Sequence, residues 1–179
     1  MSAVSTLTAS PARPGLRTFA TATAGLLALG GCAALGMGEL DLALRTLPSA
    51  AFITLGAAVL TSPALLVAHQ VMGMAAPPEE LVSSLMRALA RMGQVSAGLS
   101  PFVLYFSVTS GLSPALFTLA FLAGGALTAG TAMQELTMAE KRHGGSAAAA
   151  VPMAGVSTAW IGLTALIALR LTFGLFGGL

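Results

Sequence analysis

Long apolar stretches separate the few charged residues of this chain. Four stretches contain no Asp, Glu, Lys or Arg, and they cover residues 18–38, 46–78, 92–134 and 144–169. Charged side chains are costly in hydrocarbon, so each stretch is a candidate membrane-spanning segment. Each is at least as long as the roughly 20 residues that one helical crossing requires. The pattern therefore predicts a chain that crosses a bilayer several times as helices.

The longest stretch predicts two crossings. As one helix, residues 92–134 would extend about 64 Å, whereas the hydrocarbon core of a bilayer is about 30 Å thick. The segment 109–114 (Thr-Ser-Gly-Leu-Ser-Pro) lies near its middle and is typical of a turn. Division there gives an all-α polytopic transmembrane bundle of five spans, at residues 18–38, 49–73, 93–110, 114–134 and 156–176.

The remaining segments complete the predicted organisation. Residues 1–15 are rich in Ser, Thr, Ala and Pro, and we expect a disordered N-terminal tail. Residues 16–179 form a single transmembrane domain, because no polar stretch is long enough for a separate soluble domain. Pro48 and Pro114 suit the first turns of their helices, where proline is tolerated.

A helix of different character is predicted between the second and third spans. Pro78 and the two acids after it favour a helix start, and an amphipathic pattern continues over residues 78–92. Its polar face holds Glu80, Ser83, Ser84, Arg87 and Arg91. We expect the helix to lie on the inner membrane surface or to continue into the third span. Its polar face is either solvated or a docking surface for a partner, with contact residues Glu79, Glu80, Arg87 and Arg91.

Composition supports the membrane assignment and excludes other classes. The residues Ala, Val, Ile, Leu, Met, Phe, Trp, Tyr and Cys make up 56% of the 179 residues, and the mean hydropathy is +0.89. Charged residues make up 8%, against about 25% in a typical soluble domain. These values exclude a disordered chain, and the scattered basic residues exclude a nucleic-acid binder. The single cysteine, Cys32, excludes a disulfide scaffold.

The distribution of Lys and Arg predicts an orientation, because cytoplasmic loops carry an excess of these residues. With the N-terminus inside, the inner segments hold six of them and the outer segments hold two. The inner set is Arg13, Arg17, Arg87, Arg91, Lys141 and Arg142, and the outer set is Arg45 and Arg170. Five spans then place the N-terminus in the cytoplasm and the C-terminus outside.

Four polar residues in or near the spans are candidates for a pathway or an interface: His69, Gln70, Gln94 and Arg170. His69 lies near the inner end of the second span, where a histidine either hydrogen-bonds at the interface or takes part in function. Arg170 either extends to the outer headgroups or, if buried, requires an acid such as Glu39 or Asp41. Convergence on a wet cavity would favour a channel, and dispersal to the two interfaces would favour a scaffold.

Catalytic chemistry finds little support in the sequence. Glu135, Glu140 and His143 are the one grouping that a lipid-directed enzyme could use, and an exposed loop explains them more simply. The acids at 79–80 differ from those of CAAX-type proteases, because Ser84 stands where that motif has arginine. The sequence contains no GxSxG and no HExxH motif. We therefore expect no catalytic residue, no metal site and no cofactor.

Small residues within the spans predict close helix packing or self-association. They include Ala20, Ala24 and Ala28, a glycine-rich face over 124–130, and a GxxxG pattern at 174–178. Cys32 follows Leu-Gly-Gly, which resembles a lipobox with an acylated cysteine. The apolar run continues beyond Cys32, and this favours a buried free cysteine. Pro63 and Pro101 are predicted to kink their helices.

The order of these features resembles the Yip family of five-span membrane proteins, particularly its small bacterial relatives. The resemblance covers residues 16–179 and rests on the Ser-Pro steps at 60–63 and 99–102, the helix start at Pro78 and two final spans. It implies a helical fold and a membrane location, and it carries over no functional residue. This chain lacks the long cytosolic N-terminal region of eukaryotic members. Its Ala- and Gly-rich composition suits a bacterial inner membrane.

The sequence thus predicts a non-enzymatic integral membrane protein. We expect a membrane-organising or assembly subunit that binds protein partners through its helix faces and the 78–92 segment. The alternative is a small oligomeric subunit of a transporter or channel. The expected partners are the lipid bilayer and other membrane proteins or a second copy of the chain, and no nucleic acid.

Overall fold

The computed structural model is an all-helical bundle. It describes residues 15–35, 40–110, 113–145 and 150–176, and this part of the chain contains five α-helices and no strand. The helices are α1 (Leu16–Leu35), α2 (Leu40–Val71), α3 (Pro78–Ser110), α4 (Ser113–Arg142) and α5 (Ala150–Phe176). The all-α prediction is confirmed. The predicted N-terminal tail, apart from Gly15, lies outside the described residues, as does Glu39.

Three helical segments are long and apolar enough to cross a membrane: Leu16–Leu35, Leu44–Val71 and Val151–Thr172. At most 39% of the most apolar window of each segment is buried inside the bundle, so most of these residues are at least partly accessible on its exterior. Such an apolar exterior is compatible with integration into a membrane. α3 and α4 have 33 and 30 residues, but their polar, glycine and charged residues lower the mean hydropathy.

Several helices extend beyond the predicted spans. α3 is continuous from Pro78 to Ser110, so the amphipathic segment runs directly into the third apolar stretch, one of the two expected arrangements. α2 begins at Leu40, so the prediction for Pro48 is wrong: this proline lies inside the helix. A proline in a helix costs one backbone hydrogen bond, which the long helix α2 accommodates. α4 continues to Arg142, beyond the predicted end at residue 134.

α1 packs closely against α2 and α3 because glycines remove the side chains at the crossing points. A Cβ atom at Gly25 would overlap the backbone of Gly93, and one at Gly93 would lie 2.6 Å from Cα of Ala22. On the α2 side, a Cβ atom at Gly30 would overlap the carbonyl oxygen of Leu47. These approaches bring helix backbones into direct contact, as small residues do between membrane helices.

The small-residue face predicted on α1 is not the one that packs inside the bundle. Ala20, Ala24 and Ala28 are exposed, whereas Ala22, Gly25 and Gly30 are buried. The spacing of alanines alone could not distinguish the two faces, because α1 is apolar all round and both faces carry small residues. Cys32 is half-buried within α1, which continues to Leu35.

Polar side chains join α5 to α2 in the middle of the bundle. The hydroxyls of Thr61 and Thr164 lie 2.9 Å apart, and Nε1 of Trp160 donates to the carbonyl of Thr61 at 3.2 Å. Pro63 cannot donate to the carbonyl of Val59, and the hydroxyl of Ser62 donates to that oxygen at 3.1 Å. These hydrogen bonds thus hold α5 against α2. Of the three candidate spans, α5 has the smallest buried fraction.

Consecutive helices run in opposite directions. α1 and α3 are parallel, because Gly25 faces Gly93 and Ala33 packs with Val103 farther along. α2, whose Ala50 packs with Leu26 and whose Leu47 faces Gly30, is antiparallel to α1. α4 is antiparallel to α3, and α5 to α2. The main hydrophobic core lies toward the end where α2 ends, α3 begins and α4 ends, which we call the polar end.

Candidate functional site

Two glycine-capped helix ends meet at the polar end. Gly73 after α2 has φ of +62°, and Gly144 after α4 has φ of +84°. In each turn, the N–H that follows the glycine donates to the carbonyl five residues earlier. That carbonyl belongs to His69 in α2 (3.3 Å) and to Glu140 in α4 (3.0 Å). Both ends are Schellman motifs, and His69 and Glu140 hold equivalent positions in them.

His69 and Glu140 form a buried pair between these ends. Nε2 of His69 lies 3.1 Å from Oε2 of Glu140, and the two residues are 1% and 4% exposed. The same carboxylate accepts hydrogen bonds from the backbone N–H groups of Ala75 (2.6 Å) and Ala76 (3.0 Å). Burial raises the pKa of Glu140, but the Ala75 and Ala76 amides and His69 outweigh it, so the pKa lies below its ordinary value.

Five charged residues of alternating sign join α3 to α4. We call them the charge ladder, and in order along the helices they are Arg91, Glu135, Arg87, Glu80 and Arg142. The N···O distances between successive members are 3.0, 3.1, 3.3 and 2.8 Å. Arg87 stands at the centre and also donates to the hydroxyls of Ser83 (3.0 Å) and Ser84 (2.9 Å).

The polar face of the 78–92 segment is covered by α4. Glu80 and Ser83 are each 8% exposed, and Ser84 is fully buried. The prediction of a solvated face is therefore wrong for these three residues. The reason is the length of α4, whose last turns carry Glu135 and Arg142 alongside α3. Sequence reasoning assigned the end of α4 to an exposed loop, and so it missed the partner that draws the polar face inward.

The four predicted docking residues are divided by this arrangement. Glu80 and Arg87 are engaged in the charge ladder, and Arg91 is paired with Glu135 but remains half-exposed. Glu79 is exposed. Of the four, Glu79 and Arg91 are therefore the exposed residues.

The four polar candidates of the spans do not come together. His69 is buried in its pair with Glu140, whereas Gln70, Gln94 and Arg170 are exposed. Arg170 lies at the level of the middle of α2, because α5 runs antiparallel to α2 with Leu171 beside Gly56.

The predicted grouping of Glu135, Glu140 and His143 is also separated. Glu135 belongs to the charge ladder and Glu140 to the pair with His69. His143 is exposed, and its Nδ1 lies 3.0 Å from the carbonyl oxygen of Ala139. Among the described residues, no three His, Cys, Asp or Glu side chains are arranged to hold a metal ion. The two glutamates are buried, so the exposed-loop interpretation is wrong for them.

Comparison of this chain with protein-family models, with curated proteins and with solved structures finds no match. The resemblance to the Yip family therefore stays a prediction.

The polar end is chemically suited to fastening helices. The Glu140 carboxylate ties α4 to α2 and to the turn before α3, and the charge ladder ties α4 to α3. Each of the three glutamates in these two groups is engaged by at least two donors. We name the two groups together the polar clamp.

Proposed function

We propose that this chain is a non-enzymatic, five-span integral membrane protein that acts as a membrane-organising or assembly subunit. It binds protein partners through outward helix faces and through the exposed residues of the 78–92 segment. The observation that carries this proposal is the polar clamp, in which each buried carboxylate is bonded to donors that join neighbouring helices. A general base or nucleophile needs an accessible atom and a substrate cavity. The carboxylates of the clamp are instead buried between packed helices and already hydrogen-bonded.

The alternating directions of the helices support five spans. α3 from Met92 to Ser110 carries no charge and extends about 28 Å as a helix, close to the thickness of the hydrocarbon core. α4 returns antiparallel beside it. The polar end also carries Arg17, Arg91 and Lys141, so the excess of positive charge supports a cytoplasmic position for this end.

The outward faces of α4 and α5 are the surfaces that we assign to partners or lipid. Leu119 and Leu122 on α4 are 66% and 63% exposed, and Leu166 on α5 is 65% exposed. α4 packs mainly on α3 and much less on α5. A partner helix that buried such leucines would gain packing that lipid chains provide less specifically.

Site-specific cross-linking in native nanodiscs tests this proposal. Photo-reactive residues at Leu166 and Leu119 probe the two faces at equal exposure, and one at the buried Leu136 is the control. We expect one face to give a discrete cross-linked product with a single partner protein, and the particle mass to equal that of the two together. Lipid-only adducts at both faces, with the mass of one chain, would contradict the assembly role.

The buried His69 gives the alternative of an oligomeric transporter or channel a specific test. In that case the particle mass would be an integral multiple of the chain mass, and cross-links would join two copies. Solute flux in vesicles would then depend on His69 and would fall when it is replaced with Gln. Because Gln70, Gln94 and Arg170 do not converge with His69, we favour the assembly role.

A further inference from the structure

Charges of opposite sign are segregated by depth along the charge ladder. The side chains of Glu80 and Glu135 are each 10% exposed, whereas those of Arg91 and Arg142 are 49% and 48% exposed. The carboxylates are therefore buried beneath the surface, and the guanidinium groups of Arg91 and Arg142 lie at the surface. Three arginines share two carboxylates, so the ladder retains one positive charge.

Two further cations lie at the same end of the bundle. Arg17 and Lys141 are exposed and form no ion pair within the part of the chain that the structure describes. Together with Arg91 and Arg142 they form what we call the cationic edge. Guanidinium and ammonium groups are donors without acceptor atoms. The outward hydrogen-bonding capacity of these four residues therefore suits an anion with several acceptor oxygens, and phosphate is the commonest.

We propose that the cationic edge binds the phosphate headgroups of anionic phospholipids. The inference rests on the membrane integration of the proposed function and does not depend on a protein partner. Arg91 immediately precedes the charge-free part of α3, and Arg17 holds the same place before the apolar part of α1. Both residues therefore stand where the hydrocarbon core meets the headgroups. Lys141 and Arg142 lie about two helical turns farther out and act through longer-range attraction.

Exposed apolar side chains beside these cations favour a lipid over free phosphate. Leu16, next to Arg17, is 84% exposed, and Met138, one turn before Arg142, is 45% exposed. A surface that presents both kinds of side chain matches the boundary between headgroups and acyl chains. A soluble phosphate would leave the apolar side chains in water.

Two arginines of equal exposure provide a matched comparison. Arg91 is 49% exposed and lies 3.0 Å from Glu135, which is sheltered at 10%. Arg45, at the opposite end, is 50% exposed and lies 3.0 Å from Asp41, which is 75% exposed. An accessible carboxylate repels a lipid phosphate, so Arg45 should contribute little. Arg87 still holds Glu135 when Arg91 is replaced, which preserves the fold of the variant.

The experiment measures bound lipid by native mass spectrometry after reconstitution in equal parts of phosphatidylglycerol and phosphatidylcholine. The wild-type chain is expected to retain phosphatidylglycerol preferentially. Arg91→Gln should reduce that preference about fivefold, since a basic residue near an anionic surface contributes about 1 kcal/mol. Arg91→Lys should keep most of the preference for phosphatidylglycerol. Lys141→Gln should reduce this preference less than Arg91→Gln does, and Arg45→Gln should change it less than twofold.

Several outcomes would overturn the inference. They are equal retention of the two lipids by the wild-type chain, equal effects of Arg91→Gln and Arg45→Gln, and a loss in Arg91→Lys as large as in Arg91→Gln. Displacement of the lipid by millimolar inorganic phosphate would show a site for the free anion and would also overturn it. A chain that does not enter the bilayer would instead contradict the proposed function, and this is seen before any lipid is counted.

Discussion

Glu140 lies in the last turn of α4, where the negative end of the helix dipole disfavours a carboxylate. The residue is nevertheless buried and accepts hydrogen bonds from His69 and from the N–H groups of Ala75 and Ala76. A hydrogen bond to a charged group contributes about 1.5–3 kcal/mol, whereas the dipole effect is about 0.3–1 kcal/mol. The three hydrogen bonds therefore dominate, and Glu140 fastens the α2–α3 turn to α4.

Replacement of Glu140 with Gln is expected to lower the free energy of unfolding by about 1–3 kcal/mol at pH 7. The folded-state pKa of Glu140 lies below the ordinary value of 4.5. Its ionisation therefore stabilises the fold fully above about pH 4.5, and this contribution is lost as the pH falls through the folded pKa. Thermal unfolding in detergent at several pH values measures the effect. The difference between the wild type and Glu140→Gln should narrow in acid.

Glu79→Gln is the control for this prediction, because Glu79 is exposed in the first turn of α3, next to the buried Glu80. Glu79→Gln should leave the free energy of unfolding at pH 7 nearly unchanged. A difference between the wild type and Glu140→Gln that stayed constant from pH 7 into acid would contradict the assigned role of the Glu140 carboxylate.

Gly25 and Gly31 stand less than two turns apart on α1 and differ in what surrounds them. A Cβ atom at Gly25 would overlap the backbone of Gly93, whereas one at Gly31 would meet no atom within 4 Å. Gly25→Ala is expected to destabilise the fold by at least about 2 kcal/mol, because α1 and α3 must separate. Gly31→Ala should stabilise it by up to about 1 kcal/mol through helix propensity. Chemical unfolding of both variants provides the comparison, and equal effects would exclude the close crossing.

At the scale of whole elements, α3 and α4 depend on the charge ladder. Arg87 is 30% exposed, so the coupling between Arg87 and Glu135 should be smaller than the 3–5 kcal/mol cost of breaking a fully buried pair. We expect about 1–2 kcal/mol from a double-mutant cycle of Arg87→Gln and Glu135→Gln. The same cycle at the exposed pair Arg45–Asp41 should give about 0.5 kcal/mol or less. Comparable couplings at both pairs would show that the ladder does not fasten α3 to α4.

The helices could be predicted more reliably than their interfaces. Apolar runs between charges indicated four elements, because hydropathy depends on each residue alone, and the turn-forming segment 109–114 divided the longest run into two. The burial of Glu80 and Ser84 could not be read in this way, since it depends on how far α4 extends past residue 134. The pair of His69 and Glu140 joins residues 71 positions apart, so neither local spacing nor composition indicates it. The glycines at 73 and 144 predict where α2 and α4 end, and His69 and Glu140 each lie four residues before one of them.

At the scale of the whole molecule, the polar and apolar parts are distributed as a membrane requires. The polar end holds most charged groups of the described chain, and Asp41 and Arg45 form an exposed pair at the other end. Between these ends lie apolar helices that are joined by glycine contacts and by the Thr61–Thr164 hydrogen bond. Three helices meet the criterion for spanning by hydropathy. The position of the α3–α4 turn distinguishes five crossings from three.

Cysteine labelling at that turn decides between the two topologies. Single cysteines at Ser110, Arg45 and Lys141, each exposed, are placed in a Cys32→Ser background. If α3 and α4 cross the membrane, Ser110→Cys reacts with a membrane-impermeant thiol reagent in intact cells as readily as Arg45→Cys. Lys141→Cys reacts only after permeabilisation if the polar end is cytoplasmic, as we propose. Protection of Ser110→Cys until permeabilisation would place α3 and α4 on the cytoplasmic side, and the cationic edge would then lie along a surface hairpin.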